Sequence, residues 1–113
     1  MAKGVASIAL LFALVPAGAM AKDTRFWNLT ANTINSLQLS PAGAQDWGPN
    51  QTDNDSDHAV DHDERLKITG APSGAYDVKF VDRTGRTCIV RNIRLKEGAV
   101  FSIEEKDLPA CSR

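Results

Sequence analysis

Tyr76–Leu95 reads YDVKFVDRTGRTCIVRNIRL, and the fold is decided by how this stretch is read. Tyr76, Val78 and Phe80 alternate with Asp77, Lys79 and Val81. Successive strand side chains point to opposite faces, so this alternation predicts a strand with one apolar face. Asp82-Arg83-Thr84-Gly85-Arg86 follows as a short loop, with glycine where a left-handed backbone is needed. Thr87–Leu95 then returns as the antiparallel partner. Downstream, Lys96-Glu97-Gly98 turns the chain again and Ala99–Ile103 (AVFSI) gives a last strand, so the C-terminal part predicts a three-stranded meander.

Upstream the same periodicity recurs. Leu66 and Ile68 alternate just before Gly70-Ala71-Pro72-Ser73-Gly74, a strong turn signal. Thr24–Thr30 (TRFWNLT) and Thr33–Ser40 (TINSLQLS) are rich in β-branched, aromatic and alternating apolar residues. In the second of these Ile34 is out of phase with Leu37 and Leu39, which predicts a bulge. Pro41-Ala42-Gly43 ends that strand, and Ala44–Asn54 reads as an ordered loop anchored by Trp47. No amphipathic helix stands out. These elements predict an all-β fold, a small antiparallel β-sandwich or barrel-like domain. Phe26, Trp27, Trp47, Tyr76, Phe80 and Phe101 are read as its core rather than as a ligand pocket.

The N-terminus predicts export. Lys3 gives a positive n-region, Val5–Val15 (VASIALLFALV) an uncharged apolar run, and Ala19-Met20-Ala21 an A-x-A cleavage site. A membrane span needs about 20 apolar residues, and this run is shorter. The reading is a signal peptide at 1–21 and a single β-rich domain at 22–113, periplasmic or secreted, with no membrane span after cleavage. The remaining 92 residues hold 12 basic and 14 acidic side chains, a balance that argues against nucleic-acid binding. In an oxidising compartment Cys88 and Cys111 pair most simply as a disulfide, which would stabilise the fold by roughly 3 kcal/mol.

Asp53–Glu64 reads DNDSDHAVDHDE, six carboxylates with no lysine or arginine. Counting Asp53 as position 1 places Asp55 at 3, Asp57 at 5, Asp61 at 9 and Glu64 at 12, with apolar Val60 at 8. That is the ligand spacing of an EF-hand loop, where oxygen donors wrap Ca²⁺ or another hard cation. His58 stands where that loop requires glycine, and neither flank reads as helix, so the expectation is a looser carboxylate site. His58 and His62, with Asp57, Asp61 or Asp63, offer an alternative for Zn²⁺, Cu²⁺ or Ni²⁺. The remaining alternative is a metal-free acidic loop that meets a basic protein partner. Arg83, Arg86, Arg91 and Arg94, on and after the hairpin, supply a second candidate surface for an anion or partner. No catalytic motif is present, neither GxSxG, HExxH nor a phosphate-cradling glycine loop, and the chain is read as not an enzyme.

Phe26-Trp27-Asn28-Leu29-Thr30, Leu39-Ser40-Pro41, Trp47-Gly48-Pro49 and Tyr76-Asp77-Val78-Lys79 carry a resemblance. With them the chain resembles a family of small exported alphaproteobacterial proteins, uncharacterised in their chemistry. The resemblance implies a periplasmic β-sandwich-like domain and brings no established reaction. Family members sometimes carry an argininosuccinate lyase label, but such lyases are long helical proteins and no such segment fits here. The functional expectation is a periplasmic binding or accessory protein. Asp53, Asp55, Asp57, Asp61 and Glu64 would hold a hard cation beside Trp47, or the acidic loop and arginine hairpin would dock a partner without metal.

Overall fold

The hairpin of Tyr76–Leu95 is present as β4 (Gly74–Asp82) and β5 (Thr87–Leu95) in a computed structural model that describes residues 22–113. The expected signal peptide at 1–21 lies outside those residues. Gly85 takes φ +87° at the turn, where an L side chain would be strained. The other strands are β1 (Thr24–Leu29), β2 (Ile34–Pro41), β3 (Arg65–Ile68) and β6 (Val100–Glu104). They form two three-stranded sheets, ordered β3-β1-β6 and β2-β4-β5, which pack face to face as a small β-sandwich. Phe26, Leu66, Phe101 and Ile103 project from the first sheet, and Ile34, Leu37, Val78, Phe80 and Cys88 from the second, into one shared core. Phe26 and Phe101 meet with ring centroids 5.4 Å apart.

Three details of the strands follow from sequence. The phase change in β2 is a register shift between Ile34 and Ser36 against β4. Pro41 is the last residue of β2. The short alternation at Leu66 and Ile68 is β3, antiparallel to β1.

The expected meander is not formed. β6 does not continue from β5 but crosses to the other sheet and pairs parallel with β1, Phe26 opposite Phe101. Packing decides this: Phe101 and Ile103 gain a full core face beside β1. The edge of β5 at Thr87 is taken instead by the C-terminal segment, through paired Thr87–Ser112 hydrogen bonds of 2.6 and 2.9 Å. A four-residue connection, 96–99, with Gly98 at φ +82° serves either route, so the turn alone does not distinguish them.

The long connection 42–64 closes one flank of the sandwich. Gly48 N–H donates to Leu39 O (2.8 Å), Leu37 N–H to Asn50 Oδ1 (2.9 Å), and Val60 pairs with Ile34, all on the edge of β2. On the β3 side, Asn54 Nδ2 donates to Lys67 O (2.8 Å), while Gln51 exchanges two hydrogen bonds of 3.0 Å with the backbone of Thr69. Side-chain amides thus satisfy edge groups that a neighbouring strand would otherwise seek.

Asn28 is the pivot of this closure. It is fully buried; Nδ2 donates to Asn32 O (3.0 Å) and Val60 O (2.9 Å), and Oδ1 accepts from Thr30 N–H (3.0 Å) and Oγ1 (2.7 Å). Asn28→Ala leaves several buried groups unpaired, each costing about 1–3 kcal/mol. The expected net loss is about 3 kcal/mol, read as a lower urea midpoint at unchanged m-value.

Candidate functional site

The acidic segment leaves the short 3-10 turn Gln51–Asn54 and runs to the start of β3. Its shape is set by bonds to both sheets. Val60 is buried and pairs with β2 through Ile34 (2.8 and 2.9 Å). Asp63 N–H donates to Asn28 O (2.6 Å), and Asn28 N–H donates to Glu64 O (2.9 Å), which ties the other end to β1. Trp27 Nε1–H donates to Asp63 Oδ1 (3.0 Å), and Thr33 Oγ1–H donates to Asp61 Oδ1 (2.9 Å). His62 Nδ1 lies 2.7 Å from Thr30 O, and since a carbonyl only accepts, Nδ1 carries the proton.

Between these anchors the chain turns tightly. Asp55 Oδ2 accepts from Asp57 N–H (2.9 Å), and Glu64 Oε1 accepts from Asp61 N–H (2.8 Å). His58 takes φ +54° and Asp63 φ +71°, so histidine does enter the left-handed region at the position where a calcium loop uses glycine. His58 Nδ1 stands 3.2 Å from Asp53 Oδ1.

The five predicted ligands therefore do not meet. Asp53 faces His58, Asp55 caps the turn at Asp57, Asp61 holds Thr33, Glu64 caps Asp61, and Asp57 is exposed. His58 and His62 are equally separate, one on Asp53 and the other on Thr30. Among the described residues no three His, Cys, Asp or Glu side chains come together to hold an ion. None of the six carboxylates of the segment lies within ion-pair distance of a lysine or arginine, again among the described residues. The result is a rigid, outward-facing, uncompensated negative surface. Trp47 stands over Lys79 instead, with Nζ 4.8 Å from the ring centre.

The arginine surface divides differently from its sequence pattern. Arg86 Nε–H donates to Asp82 Oδ2 (2.9 Å) and Nη1–H to Glu105 Oε2 (2.7 Å), which ties the hairpin turn to the segment after β6. Burial alone would raise the Asp82 carboxyl. Hydrogen bonds from Thr84 Oγ1, the Arg86 guanidinium and the Arg86 and Thr84 amides outweigh it and hold the pKa at about 2. Glu105 is lowered by Arg86 first and then by Ala31 N–H. Arg91 turns to buried Asp77 (3.3 Å), whose carboxyl is lowered chiefly by N–H groups of Gly43 and Asn92. Of these four arginines, Arg83 and Arg94 are exposed and have no ion-pair partner among the described residues.

Trp27 and Trp47, expected in the core, both lie outside it and are half-buried, because neither faces the space between the sheets. Trp27 instead anchors the acidic loop through Asp63. It sits at an outward position of β1 between buried Phe26 and Asn28, with the Arg65 guanidinium 4.1 Å above its ring. The outward parity of Trp27 is legible beside Phe26, but the Trp27–Arg65 pairing depends on the β1–β3 register, which no local pattern encodes.

Fold and site together define a disulfide-stapled two-sheet β-domain that presents a braced acidic loop. No protein-family model, curated protein or solved structure matches the chain.

Proposed function

We propose that this chain is an exported, non-catalytic binding module that docks a basic protein surface through Asp53–Glu64 without a metal ion. One observation carries the reading: the segment is tied to both sheets through Val60, Asp61 and Asp63, and among the described residues its six carboxylates have no lysine or arginine counter-ion and do not converge on one centre. Such a surface steers an oppositely charged partner and favours its docking in one register. A disulfide that staples the C-terminal segment supports an oxidising compartment, and the periplasm is the one that agrees with the sequence.

The experiment is a photo-crosslinking amino acid placed at position 57 of the full chain, expressed in the cells that make it. A discrete protein adduct is expected from position 57 and not from position 94, fading as ionic strength rises. No adduct at 57, or the same adducts from both positions, contradicts the reading.

A further inference from the structure

The sandwich end opposite the acidic turn holds a preformed groove. Along the β2–β4 pair, Ile34 opposite Asp82 marks the acidic end and Pro41 opposite Tyr76 the other. There Leu39, Pro41, Pro49, Ala71, Pro72 and Tyr76, distant in sequence, wall a half-open cavity of about 410 Å³. This falls within the range of about 300–1,000 Å³ usual for small-molecule sites.

Both walls are fixed before any ligand arrives. Gly48 N–H donates to Leu39 O (2.8 Å) and Asp46 N–H to Ser40 Oγ (2.9 Å), which seats the 46–49 segment. Gln51 clasps Thr69 from the other side, and Tyr76 O–H donates to Pro72 O (2.6 Å), which holds its ring as a wall. Asp46 is the single carboxylate of the lining, which contains no lysine or arginine. Among the described residues it has no ion-pair partner elsewhere.

From this juxtaposition we propose that the groove binds a small organic cation, an ammonium group on an aromatic or aliphatic body. The apolar walls take the body out of water. Asp46 receives the ammonium and repels an anion of the same shape. Because the walls are already hydrogen-bonded in place, binding orders little of the protein. The inference is independent of the acidic loop and goes beyond the docking reading.

The test uses the exported, oxidised protein labelled with ¹⁵N and titrated in turn with phenethylammonium, phenylacetate and phenethyl alcohol. Saturable amide shifts are expected at Leu39, Asp46, Ala71 and Tyr76. The cation should bind about tenfold more tightly than the anion, attraction and repulsion each supplying a factor of a few. Asp46→Asn, on an exposed loop whose backbone bond to Ser40 is retained, should bring the cation and the neutral alcohol to equal affinity. Asp57→Asn should change neither. No saturable response, equal affinity for all three probes, shifts confined to 53–64, or a preference that survives Asp46→Asn would each overturn the proposal.

Discussion

Asp82→Ala should lower the stability of the domain by about 3–4 kcal/mol, a large part of what a chain of this size possesses. The Asp82 side chain is fully buried and accepts from Thr84 Oγ1 (2.6 Å), Thr84 N–H (3.0 Å), Arg86 N–H (3.1 Å) and Arg86 Nε–H (2.9 Å). Alanine orphans two backbone amides and leaves a largely buried guanidinium with Glu105 alone. The β4–β5 turn then no longer holds Arg86 from its own side, which loosens the link through Glu105 to Ala31, whose N–H Glu105 Oε1 accepts (2.9 Å). Urea denaturation measures the effect, and a loss under about 1 kcal/mol would contradict this account of the turn.

The same carboxylate gives the acid limb of stability its position. Its pKa is depressed in the fold to about 2 from an ordinary 3.8, so the stabilisation is complete above pH 4 and is lost as pH falls toward 2. Asp77 and Glu105 are lowered in the same direction and add to the same limb. Denaturation midpoints should therefore hold level from neutral pH to about 4 and then fall, and Asp82→Asn should flatten that fall.

Removing the disulfide, by a Cys88→Ala/Cys111→Ala pair, should cost roughly 3 kcal/mol and lower the melting temperature by roughly 15 °C. The two cysteines are 23 positions apart, so the unfolded chain regains a sizeable loop. Leu108, half-buried against the core, loses its tether, and the Thr87–Ser112 pairing opens. A bared β5 edge invites association between chains, so the variant should also self-associate on concentration, seen by light scattering. An unchanged melting temperature would contradict the staple's role.

Much of the fold was legible because it is local. Alternation and β-branched or aromatic composition placed the first four strands, the turns after β4 and β5 placed the last two, the phase of Ile34 against Leu37 placed the β2 bulge, and Gly85 placed the hairpin turn. The Cys88–Cys111 pairing followed from cysteine number and predicted compartment. What escaped is long-range. The β5–β6 turn reads as a hairpin either way, and only the fit of Phe101 beside Phe26 sends β6 to the other sheet. Arg86 and Arg91 look like surface charges in sequence because Asp82 and Asp77 look like strand-face residues. Burial of those two aspartates, set by tertiary packing, draws Arg86 inward and holds one nitrogen of Arg91, whose side chain stays exposed. In the acidic loop, spacing suggested shared ligation, whereas the backbone bonds of Val60 and Asp63 hold the loop in a course that turns Asp53, Asp55, Asp61 and Glu64 to different neighbours and leaves Asp57 exposed.

Whether Asp53–Glu64 works by charge alone is tested most directly by calorimetric titration of the oxidised domain, residues 22–113, with Ca²⁺, La³⁺ and Zn²⁺ in turn, beside an Asp53→Asn/Asp57→Asn variant. Heats no larger than dilution for all three ions, the same in both proteins, are the predicted result. Saturable binding at micromolar concentration or tighter that the variant loses would contradict the account and make the loop a metal site.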